Sequence, residues 1–157
     1  MVHDFLNKAV QTIMKPVWIV DDDRSIRWVL EKTLAREQIA FKSFASATEA
    51  IAQLDRGAEP PQVLVSDIRM PGQSGLELLQ ELKTRFPGLP VIIMTAYSDL
   101  ESAVAAFQGG AFEYLPKPFD VDQALELIRR ALDQSMHQAG ASEAVGLTPE
   151  ILGQAPA

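Results

Sequence analysis

Apolar residues along the chain fall into two alternating patterns. Three short runs are apolar almost without interruption: Val17 to Val20 ("VWIV"), Val63 to Ser66 ("VLVS") and Val91 to Met94 ("VIIM"). Continuous apolarity, rather than strict alternation, marks parallel strands covered on both faces. Ala40 to Phe44 and Phe112 to Leu115 are shorter strand candidates. Between the runs, apolar positions recur with helical spacing. The series are Ile26, Val29, Leu30, Thr33, Leu34; Ala47, Ala50, Ile51, Leu54; Leu76, Leu79, Leu82, Phe86; Leu100, Ala103, Val104, Phe107; and Val121, Ala124, Leu125, Ile128, Leu132. Each stripe occupies one helix face, as packing on a sheet requires. Gly109-Gly110 supplies a stop for the fourth helix. Five strands alternating with five helices, joined by right-handed crossovers, predict a doubly wound α/β sandwich, (βα)5.

Both ends fall outside this pattern. Val2, Phe5, Leu6, Ala9, Val10 and Ile13 have helical spacing, yet "MKPVWIV" from Met14 also looks like a natural start. Residues 1–15 are therefore either a helix that docks on the domain or an extension preceding it. From Gln134 the composition turns to Gln, Ala, Gly, Ser, Glu and Pro, which reads as a linker over residues 135–157. The domain itself is expected over residues 16–134.

At 157 residues the chain suffices for one sizeable core. A net charge of −7 argues against a surface built for nucleic acid phosphates. With no cysteine, disulfides and thiolate metal sites are excluded. No apolar run approaches the roughly 20 residues of a membrane span, and no signal peptide opens the chain. The expectation is a cytoplasmic protein with no direct nucleic acid or membrane contact.

In such a sheet, ligands bind beyond the carboxyl ends of the strands. The first strand ends in Asp21, Asp22 and Asp23, the third at Asp67 in "SDIRMPG", the fourth at Thr95 in "MTAYS" and the fifth at Lys117 in "YLPKPF". Acids, a hydroxyl and an ammonium thus converge from four strands. Clustered carboxylates suit Mg²⁺, and a carboxylate is itself a nucleophile toward phosphorus. Phosphoryl transfer needs mainly positioning and charge neutralisation, which Mg²⁺, Lys117 and the Thr95 hydroxyl could supply. Asp23 reads as the cap of the first helix rather than a ligand. His3 and His137 lie in the peripheral segments, and no Gly-rich phosphate loop is present.

Together, "VDDD", "SDIRMPG", "MTAYS" and "YLPKPF" resemble the receiver domain of two-component response regulators, over about residues 16–134. The resemblance implies a flavodoxin-like (CheY-like) sheet in the order 2-1-3-4-5, with Asp67 as phosphoacceptor from a sensor histidine kinase. It implies Mg²⁺ held by Asp21, Asp22, Asp67 and the main-chain carbonyl of Arg69. It also implies phosphoryl contacts from Thr95 and Lys117, a switch aromatic at Tyr114, and a cis Lys117–Pro118 bond. Bulky Arg69 and Tyr97, two residues past the acceptor and the hydroxyl, imply slow autodephosphorylation. "DDDRSIRWVLEKTL" and "LPVIIMTAYSDLESAV" further resemble NtrC-type nitrogen regulators, which are sigma-54-dependent activators. The tail "PEILGQAPA" resembles the opening of their AAA+ ATPase domain. The implied partners are the kinase, that ATPase domain and a second copy in a homodimer. The domain would be regulatory, not an enzyme, with its fourth-helix and fifth-strand face responding to phosphorylation. Two other readings stand beside this one: a Mg²⁺-dependent hydrolase of the haloacid-dehalogenase type, whose nucleophile would lie in "DDDR", and an unphosphorylated pseudo-receiver.

Overall fold

A computed structural model describes residues 15–147, with side-chain burial given for residues 15–137. Five strands, β1 (Val17–Val20), β2 (Phe41–Phe44), β3 (Val63–Asp67), β4 (Val91–Ala96) and β5 (Glu113–Lys117), form one parallel sheet in the order β2-β1-β3-β4-β5. The helices are α1 (Arg24–Arg36), α2 (Ala47–Asp55), α3 (Gly75–Arg85), α4 (Leu100–Gln108) and α5 (Val121–Leu147). Alternate strand residues feed two cores. Trp18, Val20, Leu64 and Ile93 pack with α2, α3 and α4, whereas Ile19, Val65, Ile92 and Met94 pack with α1 and α5. The near-continuous apolarity of β1, β3 and β4 is the direct mark of this two-sided burial.

Short polar side chains start the first four helices. Asp23, Ser46, Ser74 and Asp99 each accept an N–H of the first turn. Ser74 and Glu77 form a reciprocal capping box. At the other end of α4, Gly110 takes φ +98°. Its N–H bonds to Phe107 O and that of Ala111 to Ala106 O, so the glycine pair closes the helix as expected.

Three expectations shift. In α4 the large members of the apolar stripe face outward: Leu100 is 70%, Val104 47% and Phe107 45% exposed, while Ala103 and Ala106 are buried. Methyl groups let this helix lie close on the sheet, and the bulkier residues take the remaining arc. In α3 the buried face is Leu78, Leu79 and Leu82, with Leu76 only partly covered, and in α5 Leu127 joins it. Finally, the α5 backbone continues through Leu147, into the segment read as a linker. Ala, Gln, Glu and Met are good helix formers, and no proline intervenes before Pro149. Residues 1–14 and 148–157, including the candidate docking helix, lie outside the described residues.

Candidate functional site

The site assembles at the carboxyl edge because β1 and β3 are neighbours in register. Val20 pairs with Ser66, so the next residues, Asp21 and Asp67, stand side by side where the strands end. Asp67 closes β3 and is buried, as is Asp21. Asp22 is exposed. One carboxylate oxygen from each of Asp21, Asp22 and Asp67 can lie within 4.8 Å of the others. Hard oxygen donors this close fit a small divalent cation such as Mg²⁺, which binds through carboxylates and waters.

Lys117, the last residue of β5, reaches across β4 to these acids. Its Nζ lies 2.9 Å from Asp21 Oδ2 and 3.3 Å from Asp67 Oδ1. The Lys117–Pro118 bond is cis. Asp21 Oδ1 accepts the Asp23 N–H at 2.8 Å, and Asp67 Oδ1 accepts the Ile68 N–H at 3.0 Å. Burial nevertheless pushes both carboxyls above their ordinary range, outweighing Lys117 and these amides. Burial pulls the Lys117 ammonium down, but its bonds to Asp21 and Asp67 more than offset this, and its net shift is upward.

Asp23 turns away from the cluster. Its Oδ1 accepts the N–H groups of Ser25 (2.8 Å) and Ile26 (3.4 Å), capping α1. Thr95 is buried in β4 one residue after Met94, the register partner of Asp67. A cleft of about 490 Å³ opens beside it, lined in part by Tyr97, Leu100, Tyr114 and Pro118. Tyr114 is half-buried, edge-on to Phe107 with ring centroids 5.5 Å apart. Arg69 and Tyr97 are exposed, and the Arg69 side chain turns to Asp99. The structure thus brings Asp21, Asp22, Asp67 and Lys117 into one cluster, with Thr95 on the adjoining strand and Tyr114 and Tyr97 around the cleft.

Three positions that the motifs left unremarked also shape the site. Arg27 Nη1 donates to Asp21 O at 2.6 Å, holding the end of β1 against α1. Asp99 caps α4, a role foreshadowed only by an Asp just before a helical stripe. Gly75 opens α3 against the acceptor's own backbone: a Cβ there would lie 2.2 Å from Asp67 O and 2.7 Å from Ile68 Cα. The Ser74-x-x-Glu77 capping box could have located that helix start, but not its closeness to Asp67.

Residues 17–129 match the model of the response regulator receiver domain family. The chain is 52% identical over 143 residues to the DNA-binding transcriptional regulator NtrC of Salmonella typhimurium, covering 90% of this chain and 30% of that protein. It is 37% identical to the C4-dicarboxylate transport transcriptional regulatory protein DctD of Rhizobium meliloti, covering 89% of this chain and 31% of that protein. Among solved structures, the apo receiver domain of nitrogen regulatory protein C aligns with a TM-score of 0.67 and 55% identity, over 76% of this chain and 94% of that one. The chain thus spans under a third of the length of these curated relatives.

Proposed function

The chain belongs to the response regulator receiver domain family, in its NtrC-like branch, and from this premise we propose that Asp67 is its phosphoacceptor. The observation that carries the assignment is the Lys117 ammonium held between Asp21 and Asp67, 2.9 and 3.3 Å away, beside three convergent carboxylates. Asp67 Oδ1 is engaged by Ile68 N–H and Lys117, so Oδ2 has the lone pairs to offer. It attacks phosphorus as the P–N bond of a phosphohistidine breaks, and the electron pair returns to the imidazole. Lys117 would neutralise charge on the transferred group, and the hydroxyl of Thr95, buried in β4, would donate to it.

Asp21, Asp22, Asp67 and the Arg69 carbonyl would hold Mg²⁺, which when bound neutralises charge on phosphoryl oxygens and supplies Lewis acidity. The donor, a sensor histidine kinase, and the responding AAA+ domain of a sigma-54 activator are part of this proposal, as are homodimerisation and a cytoplasmic location. Among the described residues, no helix is long and apolar enough to cross a membrane. The domain would act as a regulator that assists its own phosphorylation and dephosphorylation. Neither the β3 position of Asp67 nor the matched family supports the hydrolase reading, which needs a nucleophile on β1.

Acetyl phosphate with Mg²⁺ should label the chain once, through an acid-stable, base-labile acyl phosphate that Asp67→Asn abolishes. Persistent labelling of Asp67→Asn would place the acceptor elsewhere, and no labelling of the parent chain would favour the pseudo-receiver. Decay of the same label tests the control of water. Arg69→Ala and Tyr97→Ala should each shorten its lifetime several-fold; unchanged decay would remove both residues from that role.

A further inference from the structure

Every polar group of Asp21 is held. Its N–H bonds to Phe44 O at 3.1 Å, and its carbonyl accepts Arg27 Nη1 at 2.6 Å. Its carboxylate takes the Asp23 N–H at 2.8 Å through Oδ1 and the Lys117 ammonium at 2.9 Å through Oδ2. Asp67 is likewise engaged, by the Ile68 N–H and Lys117. Asp22 differs. It is exposed, and among the described residues nothing donates a hydrogen bond to its carboxylate. Of the three clustered acids, it is the one whose direction depends on its main chain alone.

One residue brackets that main chain. The Arg27 N–H bonds to Asp23 O at 3.1 Å, the opening bond of α1, while its guanidinium holds Asp21 O. Arg27 thus grips the carbonyls on either side of Asp22. The guanidinium contact is partly buried and charge-assisted, the stronger kind of hydrogen bond. Behind it stands a firm support, since Leu30 and Leu34 of α1 are buried in the core beneath the sheet. The packed helix therefore lends its rigidity, through Arg27, to the turn that carries Asp22.

On the reading of Asp21, Asp22 and Asp67 as a Mg²⁺ site, we infer that Arg27 is a positioning residue that aims Asp22 and so sets the preference for Mg²⁺ over larger divalent cations. Mg²⁺ demands near-octahedral oxygens at about 2.0–2.1 Å, whereas Ca²⁺ tolerates irregular shells at about 2.3–2.6 Å. A misdirected Asp22 costs the small ion more than the large one. Groups that orient the ligands of a metal commonly carry about 10- to 100-fold of its affinity. Charge alone predicts the opposite sign: removing a cation from beside a dication site would tighten the binding of both ions.

The test is calorimetric titration of the metal-free 157-residue chain with Mg²⁺ and, separately, with Ca²⁺, paired with amide NMR relaxation of Asp22 and Asp23. Arg27→Met keeps an apolar stem and removes the donors. It should weaken Mg²⁺ binding about 10-fold but Ca²⁺ binding less than about 2-fold. In the metal-free variant Asp22 and Asp23 should become more mobile, and saturating Mg²⁺ should restore their order. Arg27→Lys retains the charge without the planar fork. It should show the same loss of selectivity to a smaller degree, and it carries the test if Arg27→Met does not fold. Equal weakening of both ions, tighter binding of both, or unchanged Mg²⁺ affinity would each overturn the positioning role. If the parent chain takes no Mg²⁺, or Asp67→Asn takes it as tightly as the parent, the three-carboxylate site itself is misassigned and Arg27 has nothing to aim.

Discussion

At Asp67, ionisation in the metal-free protein runs against burial. Its carboxyl and that of Asp21 stand above the usual range chiefly through desolvation, although Lys117 touches both. Burial without a cation thus disfavours their charged forms and holds back stability in favour of binding. Asp67→Ala should therefore raise the urea midpoint of the metal-free chain, because Lys117 keeps its contact with Asp21. A loss of stability would show that Asp67 is a net structural asset. The residue types at the strand ends made Asp21, Asp22, Asp67 and Lys117 legible as a group. Asp99 was not legible as a partner of Arg69, since the two lie on separate loops and only the neighbouring positions of β3 and β4 bring them together.

At the level of elements, the start of α3 is the tightest constraint on the acceptor. Ser74 caps the helix, and Gly75 lets its first turn lie against the Asp67 carbonyl; Gly75 N–H also bonds to Ile68 O at 2.9 Å. Gly75→Ala would press a methyl into immovable backbone and should cost about 3 kcal/mol by denaturant unfolding. Wild-type stability would mean that α3 can retreat without loss. Helix α4 teaches the opposite lesson about pattern reading. Its apolar positions recur with helical spacing, but periodicity alone does not say which side of a broad apolar arc meets the sheet. Packing places the alanines inside and leaves Leu100, Val104 and Phe107 outside. That exposed surface, edged by Tyr114, is the face assigned to phosphorylation-dependent change in the proposed function.

For the molecule as a whole, the pH dependence has a definite sign. Asp21 and Asp67 bind protons more readily folded than unfolded, so their contribution favours the folded state at low pH. It is lost as pH rises from the ordinary 3.8 through the raised values. Lys117 acts at the other end: its contribution is complete below 10.5 and is lost as pH climbs through its raised folded value. Mg²⁺ needs the carboxylates deprotonated, so the increase in melting temperature on adding Mg²⁺ should grow as pH rises across the acid range. Melting curves with and without Mg²⁺ at several pH values check this. An increment independent of pH, or one that survives in Asp67→Asn, would count against the three-carboxylate site.

The chain by itself determined the number and alternation of the elements, because two-sided burial of parallel strands and one-sided burial of helices leave different periodicities. It also determined which residue types end the strands, and so the chemistry available at that edge. Only the tertiary structure decided which of those residues touch. Strand order sets Asp21 beside Asp67, side-chain reach brings Lys117 across β4, and loop approach pairs Arg69 with Asp99. The opening triplet of acids shows the division. Asp21, Asp22 and Asp23 are alike in composition, but strand register sends Asp21 to Asp67, while the turn into α1 gives Asp23 to backbone amides. Contacts between residues far apart in the chain depend on distances that no local pattern encodes.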